Sequence, residues 1–92
     1  MGATFEWDPA KNEANRRKHG VSFRDAISAF MDPLSMTVPD PDHSVGEQRF
    51  LLLGENHEGR LLVVSHTDRQ DRIRIISARK ADRRERREYE QG

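Results

Sequence analysis

Two apolar runs separated by a turn signal constrain this chain more than any other feature. Arg49 to Gly54 and Leu61 to Thr67 flank Asn56-His57-Glu58-Gly59, and together they read as a β-hairpin around a four-residue turn. Arg72 to Ile76 supplies another strand, and Leu34 to Val38 has the β-branched and apolar content of a short one. Pro39-Asp40-Pro41-Asp42-His43-Ser44 cannot continue that strand, because its prolines lack amide donors, so it reads as a loop.

Helix signals flank this sheet. Phe5-Glu6-Trp7, a strand or a lead-in, ends at Asp8-Pro9, where an N-cap carboxylate precedes a proline at the first helical position. The helix runs through Lys11, Ala14 and Arg17 to His19 and closes at Gly20. Ser22-Phe23-Arg24-Asp25 opens a second helix with an apolar face of Ala26, Ile27, Ala29, Phe30 and Met31, which stops at Asp32-Pro33. Arg79 to Tyr89 has the residue preferences of a third. The expected class is α+β: two N-terminal helices packed on a three- to four-stranded antiparallel sheet, then a C-terminal helix.

The 92 residues make a single domain, 1–92, without repeats or an internal linker. With 34% hydrophobic and 35% charged residues, the chain sits near the lower limit for a globular core. A partner that covers part of it adds stability. Absence of cysteine excludes a disulfide framework and a thiolate metal site. No apolar run spans a bilayer and the N-terminus lacks the order of a signal peptide, so a soluble, cytoplasmic protein is expected, with no membrane association.

Charge is the main functional signal. The formal net charge is zero, yet Arg69 to Arg87 carries nine Lys/Arg against three Asp/Glu, which suggests an anion-binding surface or else a salt-bridge-laced helix. If Asn56 to Gly59 is the turn, Arg49 falls directly opposite His66. Arg69-Gln70-Asp71 offers no glycine for a two-residue hairpin, so an odd loop is expected, and Arg74 then faces His66 from the other side. A neutral imidazole between two guanidiniums is held to a lowered pKa and can carry a proton while the arginines hold a phosphodiester. A one-residue slip destroys this arrangement.

Other templates fit worse. His19, His43, His57 and His66 lack the spacing of a helical zinc site, although His43 with Asp40 and Asp42 can take a metal opportunistically; no metal or cofactor is expected. No phosphate-binding glycine loop occurs, and Gly54 and Gly59 are explained by the hairpin. Ser65 and Ser77 lack a nucleophile elbow.

Phe5-Glu6-Trp7-Asp8, Lys11, Asn15, Lys18-His19-Gly20-Val21-Ser22-Phe23, Asp32-Pro33, Glu47-Gln48-Arg49-Phe50 and Arg74-Ile75-Ile76-Ser77-Ala78-Arg79, with Glu85 and Tyr89, closely resemble the BrnT family. The resemblance covers nearly the whole chain. It implies a RelE-like fold and a ribonuclease toxin of a bacterial type II toxin–antitoxin module, which stops translation by cutting RNA. It also implies a cognate BrnA-type antitoxin that neutralises the toxin and joins it on operator DNA.

Metal-independent RNA cleavage needs a base for the 2′-hydroxyl, cations for the phosphorane and an acid for the leaving oxygen. The residues expected to serve are Arg74 and Arg79 on the phosphate, His66 as proton carrier, Glu47 as an alternative base, and Tyr89 as an acid or a stacking platform. Arg49, Lys11, Lys18 and Arg83 are expected to contact the RNA backbone; Lys11, Asn15 and Lys18 line one side of the first helix, where a solvent-facing stripe is the other reading. Trp7 either stacks on a base or belongs to the core. The rival function is a non-enzymatic nucleic-acid-binding or protein-docking subunit.

Overall fold

The computed structural model describes residues 4–44 and 46–92. In chain order the elements are β1 (Thr4–Glu6), α1 (Pro9–His19), α2 (Phe23–Ile27) running into a 3₁₀ turn (Ser28–Met31), β2 (Met36–Pro39), a 3₁₀ turn (Pro41–His43), β3 (Arg49–Glu55), β4 (Leu61–Arg69), β5 (Arg72–Lys80) and α3 (Arg83–Gln91). The strands form one sheet in the order β1-β5-β4-β3-β2.

The class is α+β, but the sheet corrects the expected one. It has five strands and is mixed, because β1 runs parallel to β5 with Phe5 beside Ile73. A strand is one of the two readings of Phe5-Glu6-Trp7, but its partner lies far along the chain, so local pattern has no means of announcing the parallel pairing with β5. Pro39 sits on β2, an edge strand, where a missing donor costs no ladder bond.

Helix ends follow the chemistry of their caps. Asp8 accepts from the Ala10 N–H at 2.9 Å, and α1 ends with the Gly20 N–H donating to the Arg16 carbonyl. Ser22 accepts from the Asp25 N–H at 3.0 Å. Asp82 and Glu85 form a reciprocal capping box at the start of α3.

One face of the sheet is covered by α1 and α2. Val21, Phe23, Ala26 and Ala29 pack there on Leu52, Leu62, Val64, Ile75 and Ala78, with Trp7 edge-on to Phe23, so Trp7 belongs to the core. Ala10 and Ala14 are exposed and take no part. Asn15 is buried: its amide donates to the Val21 and Ala78 carbonyls, both at 2.8 Å, and its oxygen accepts from the Ala78 N–H at 3.1 Å. It therefore ties α1 to β5 and is not part of an exposed stripe. Gly54 is needed for a different reason than the hairpin: a Cβ there would lie 2.8 Å from the Ala29 carbonyl oxygen, so the 3₁₀ turn approaches β3 only over bare backbone.

The other face is only partly covered. Leu53, Leu61 and Val63 are buried there beneath Met36, Leu51, Ala81 and Tyr89, near α3. No helix among the described residues is long and apolar enough to cross a membrane.

Candidate active site on the open face of the sheet

Strand register decides what the open face carries. Glu55 pairs with Leu61, so the β3–β4 loop has one residue more than the turn Asn56–Gly59 allows; Asn56 N–H donates to the Arg60 carbonyl and Gly59 takes φ 80°. Arg49 accordingly faces Thr67, and Phe50 faces His66. The second turn also differs from the expected odd loop: Arg69 pairs with Arg72, and Gln70 supplies the positive angle at φ 57°. Arg74 thus faces Thr67 as well, with a bulge at Ser65/His66. The two arginines do flank a common β4 residue, but it is Thr67, whose buried hydroxyl has no hydrogen-bond partner among the described residues.

His66 is therefore corrected from site to core. Its ring lies on the helix-covered face, 5.0 Å from Phe30 and 5.9 Å from Phe50 between centroids, with Nδ1 against the Val64 carbonyl. At 4% exposure it is beyond the reach of RNA. Burial pushes its pKa below the usual histidine value. The unfolded chain takes up a proton below about pH 6.5 that the folded ring refuses, so this group's contribution is intact above that pH. On acidification stability falls by up to about 1.4 kcal/mol per pH unit until the folded pKa is reached. Urea midpoints between pH 7.5 and 5.5 should show this slope in the parent chain and its loss in His66→Phe; equal slopes would refute it.

Alternation along β3, β4 and β5 turns Arg49, Leu51, Val63, Ser65, Ser77 and Arg79 to the open face. With Asp40 and His43 they line a groove of about 260 Å³. The Pro41–His43 turn brings the last two together: His43 Nδ1 lies 3.0 and 3.2 Å from the Asp40 carboxylate oxygens. Asp40 is anchored in turn, since its N–H donates to the Arg49 carbonyl at 2.8 Å and its carbonyl accepts from Ser44 Oγ at 2.7 Å. The Asp40 side chain is 13% exposed and that of His43 66%. A carboxylate thus holds one ring nitrogen and leaves the other toward solvent, the usual arrangement for a proton carrier.

Arg79 is gripped from α3. Two of its nitrogens donate to the Glu85 carboxylate at 2.9 Å each, and this pair holds the Glu85 carboxyl below the usual range. Arg49 makes no ion pair among the described residues, so its donors are free for an anion.

The remaining expected residues do not line the groove, although Arg74 shares the open face with Arg49 across Thr67. Arg74 and Arg72 share Glu6, at 3.0 and 3.1 Å, where β1 meets β5. Glu47 accepts twice from Arg69, which lowers its pKa and makes it a weak base. Tyr89 donates to Asp32, and this hydrogen bond pushes its pKa up to about 12, so it is a poor acid near neutrality. Lys11 and Lys18 are exposed on α1 beside Ile76 and Ser77, and Arg83 is exposed on α3. Asp40, Asp42 and His43 do not form a three-ligand cluster among the described residues. The arrangement therefore joins Arg49 and Arg79 to a histidine and an aspartate that strand pattern does not flag. Their signal was the spacing in Asp40-Pro41-Asp42-His43, one 3₁₀ turn apart.

Over residues 7–85 the chain matches the family model described as the ribonuclease toxin BrnT of type II toxin–antitoxin systems. It is similar to the Brucella abortus ribonuclease toxin BrnT, known from a 1.1 Å crystal structure, with a TM-score of 0.71 and 23% identity over 89% of this chain and 100% of that one. At that identity the likeness speaks for the fold. No curated protein matches the chain.

Proposed function

Because the chain belongs to the BrnT family of type II toxin–antitoxin ribonuclease toxins, we propose that it cuts RNA endonucleolytically and without a metal ion, in the groove that holds Arg49, Arg79 and the His43–Asp40 pair. The observation that carries this reading is the convergence of two guanidiniums and a carboxylate-oriented imidazole in one groove. His43 takes the proton from a 2′-hydroxyl, whose oxygen attacks the adjacent phosphorus. Arg79 and Arg49 stabilise the charge that gathers on the phosphorane oxygens. As the P–O5′ bond breaks, the leaving oxygen takes its proton from solvent, which reaches this open face. The products are a 2′,3′-cyclic phosphate and a 5′-hydroxyl.

The scaffold supports the division of labour. Glu85 fixes the Arg79 fork, and Lys11 and Lys18 extend a cationic track along α1. Arg83, Arg86 and Arg87 on α3 are exposed and make no ion pair among the described residues, which suits acidic side chains of an antitoxin as well as phosphates. A type II toxin has an antitoxin partner. In this reading it is BrnA-type, covers α3 and the groove, and carries the pair to operator DNA; the setting is the cytoplasm and the fold kinship is with the RelE toxins.

The test is incubation of purified chain with single-stranded RNA in excess EDTA. Cleavage that persists and leaves cyclic-phosphate ends is expected; activity abolished by EDTA and restored by a divalent ion would overturn metal independence.

A further inference from the structure

A second cluster of potential ligands lies where α2 meets the β3–β4 loop, and it shares no residue with the groove. We propose that Asp25, His57 and Glu58 bind a divalent transition-metal ion, Zn²⁺ foremost. One ring nitrogen of His57 and one carboxylate oxygen each from Asp25 and Glu58 lie within 4.8 Å of one another. Yet the only histidine ion pair among the described residues is that of His43, so the cluster does not close by direct contact. Ligands on a tetrahedral zinc sit roughly 3.3 to 3.6 Å apart. An ion between these three groups needs them to draw in by about 1 Å, which His57 and Glu58, both exposed, can do by small rotamer changes.

Proton accounting at Ser28 orients the imidazole. The Ser28 hydroxyl has one proton, and it donates that proton to the Asp25 carbonyl at 2.8 Å. Ser28 Oγ must then accept from its other neighbours, the His57 N–H at 2.9 Å and the His57 ring Nδ1 at 3.1 Å. Nδ1 therefore carries hydrogen, which leaves Nε2 as the ring nitrogen able to bind a cation. A metal-bound histidine is oriented in this same way, by an outer partner that takes the proton of the nitrogen not bound to metal. The two carboxylates are uncommitted: among the described residues, Asp25 and Glu58 enter hydrogen bonds only through their backbones.

Donor chemistry selects the ion. One imidazole with two carboxylates suits zinc and its borderline neighbours, whereas Mg²⁺ and Ca²⁺ favour all-oxygen sets. Three protein ligands leave a position for water. Ligands from α2 and from the β3–β4 loop make the ion a clip between the helical layer and the sheet, so binding is read as stability.

The experiment titrates the purified full chain with ZnCl₂ by calorimetry and follows thermal unfolding at each concentration. One Zn²⁺ per chain is expected, with Tm raised on the order of 10 °C at a hundredfold excess over Kd. His57→Ala, Asp25→Asn and Glu58→Gln should each weaken binding at least tenfold while unfolding normally without zinc. Ser28→Ala, a change in a positioning residue, should weaken it by roughly 10-fold and shift the His57 ring-nitrogen resonances toward the other tautomer. Absence of saturable binding, binding unaffected by the three ligand variants, or binding lost only in His43→Gln would each overturn the proposal.

Discussion

His43→Gln lowers the rate of RNA cleavage by about 10²–10⁴-fold, the range that one positioned proton carrier contributes. Glutamine keeps the size and hydrogen-bonding capacity of the side chain but cannot take up a proton near neutrality. The side chain is 66% exposed, and its named partner is a local carboxylate, so the urea midpoint should not move measurably. Asp40→Asn provides the companion measurement, because with an amide in place of the carboxylate the orientation of the ring is less well fixed. It should reduce the rate less than His43→Gln, and combining the two should cost little beyond His43→Gln alone, since both act through one imidazole. Wild-type cleavage by His43→Gln would remove the proton carrier from the mechanism and leave only a phosphate-binding groove.

The helices were legible because their signals are local. Asp8-Pro9, Ser22 and Gly20 mark ends through hydrogen bonds that span four residues or fewer. Both long hairpin strands were legible too, from composition. Register was not, because it depends on whether Arg60 belongs to the turn or to the strand, and no periodicity decides that. That single residue puts Phe50 beside His66 and Arg49 beside Thr67, and the two-residue β4–β5 turn independently brings Arg74 to Thr67 from the other side. Arg49 and Arg74 still flank one β4 residue, but only because both turns depart from the expected lengths by one residue, and that residue is Thr67, not His66. From sequence His43 reads only as a metal ligand beside Asp40 and Asp42, and its place in the groove is illegible for another reason. It sits on a proline-flanked loop whose path over the sheet is fixed by hydrogen bonds from Ser44 and Arg49, and those form only once β3 is in place.

Pairing also explains how a neutral chain presents a cationic groove. Arg69, Arg72 and Arg74 spend their charge on Glu47 and Glu6, beside the β4–β5 turn, whereas Arg49 has no such partner among the described residues. The dense arginine content of β5 is thus partly structural. Arg79 is paired as well, with Glu85, and differs from these three in lining the groove, where its Nε and the second hydrogen of one terminal nitrogen remain to donate to a phosphoryl oxygen.

Arg79→Ala removes that clamped charge, and its expected cost is about 3 kcal/mol of barrier, or roughly 10²-fold in rate, the scale of one lost oxyanion donor. The Arg79–Glu85 pair is partly solvent-exposed, at 43% and 23% for the two side chains, so screening limits what its loss does to folding. A destabilisation of about 1 kcal/mol or less is expected. Arg79→Lys separates charge from geometry, because an ammonium keeps the charge but cannot bridge Glu85 and a phosphoryl oxygen with a planar fork. It should recover only part of the rate. Arg49→Ala should behave differently, weakening RNA binding and flattening its salt dependence with a smaller effect on kcat, because a cation without a clamp contributes mostly to phosphate attraction. Equal losses of kcat in Arg49→Ala and Arg79→Ala would show that the Glu85 clamp does not set Arg79 apart. Full activity in Arg79→Ala would move the phosphorane away from β5 altogether.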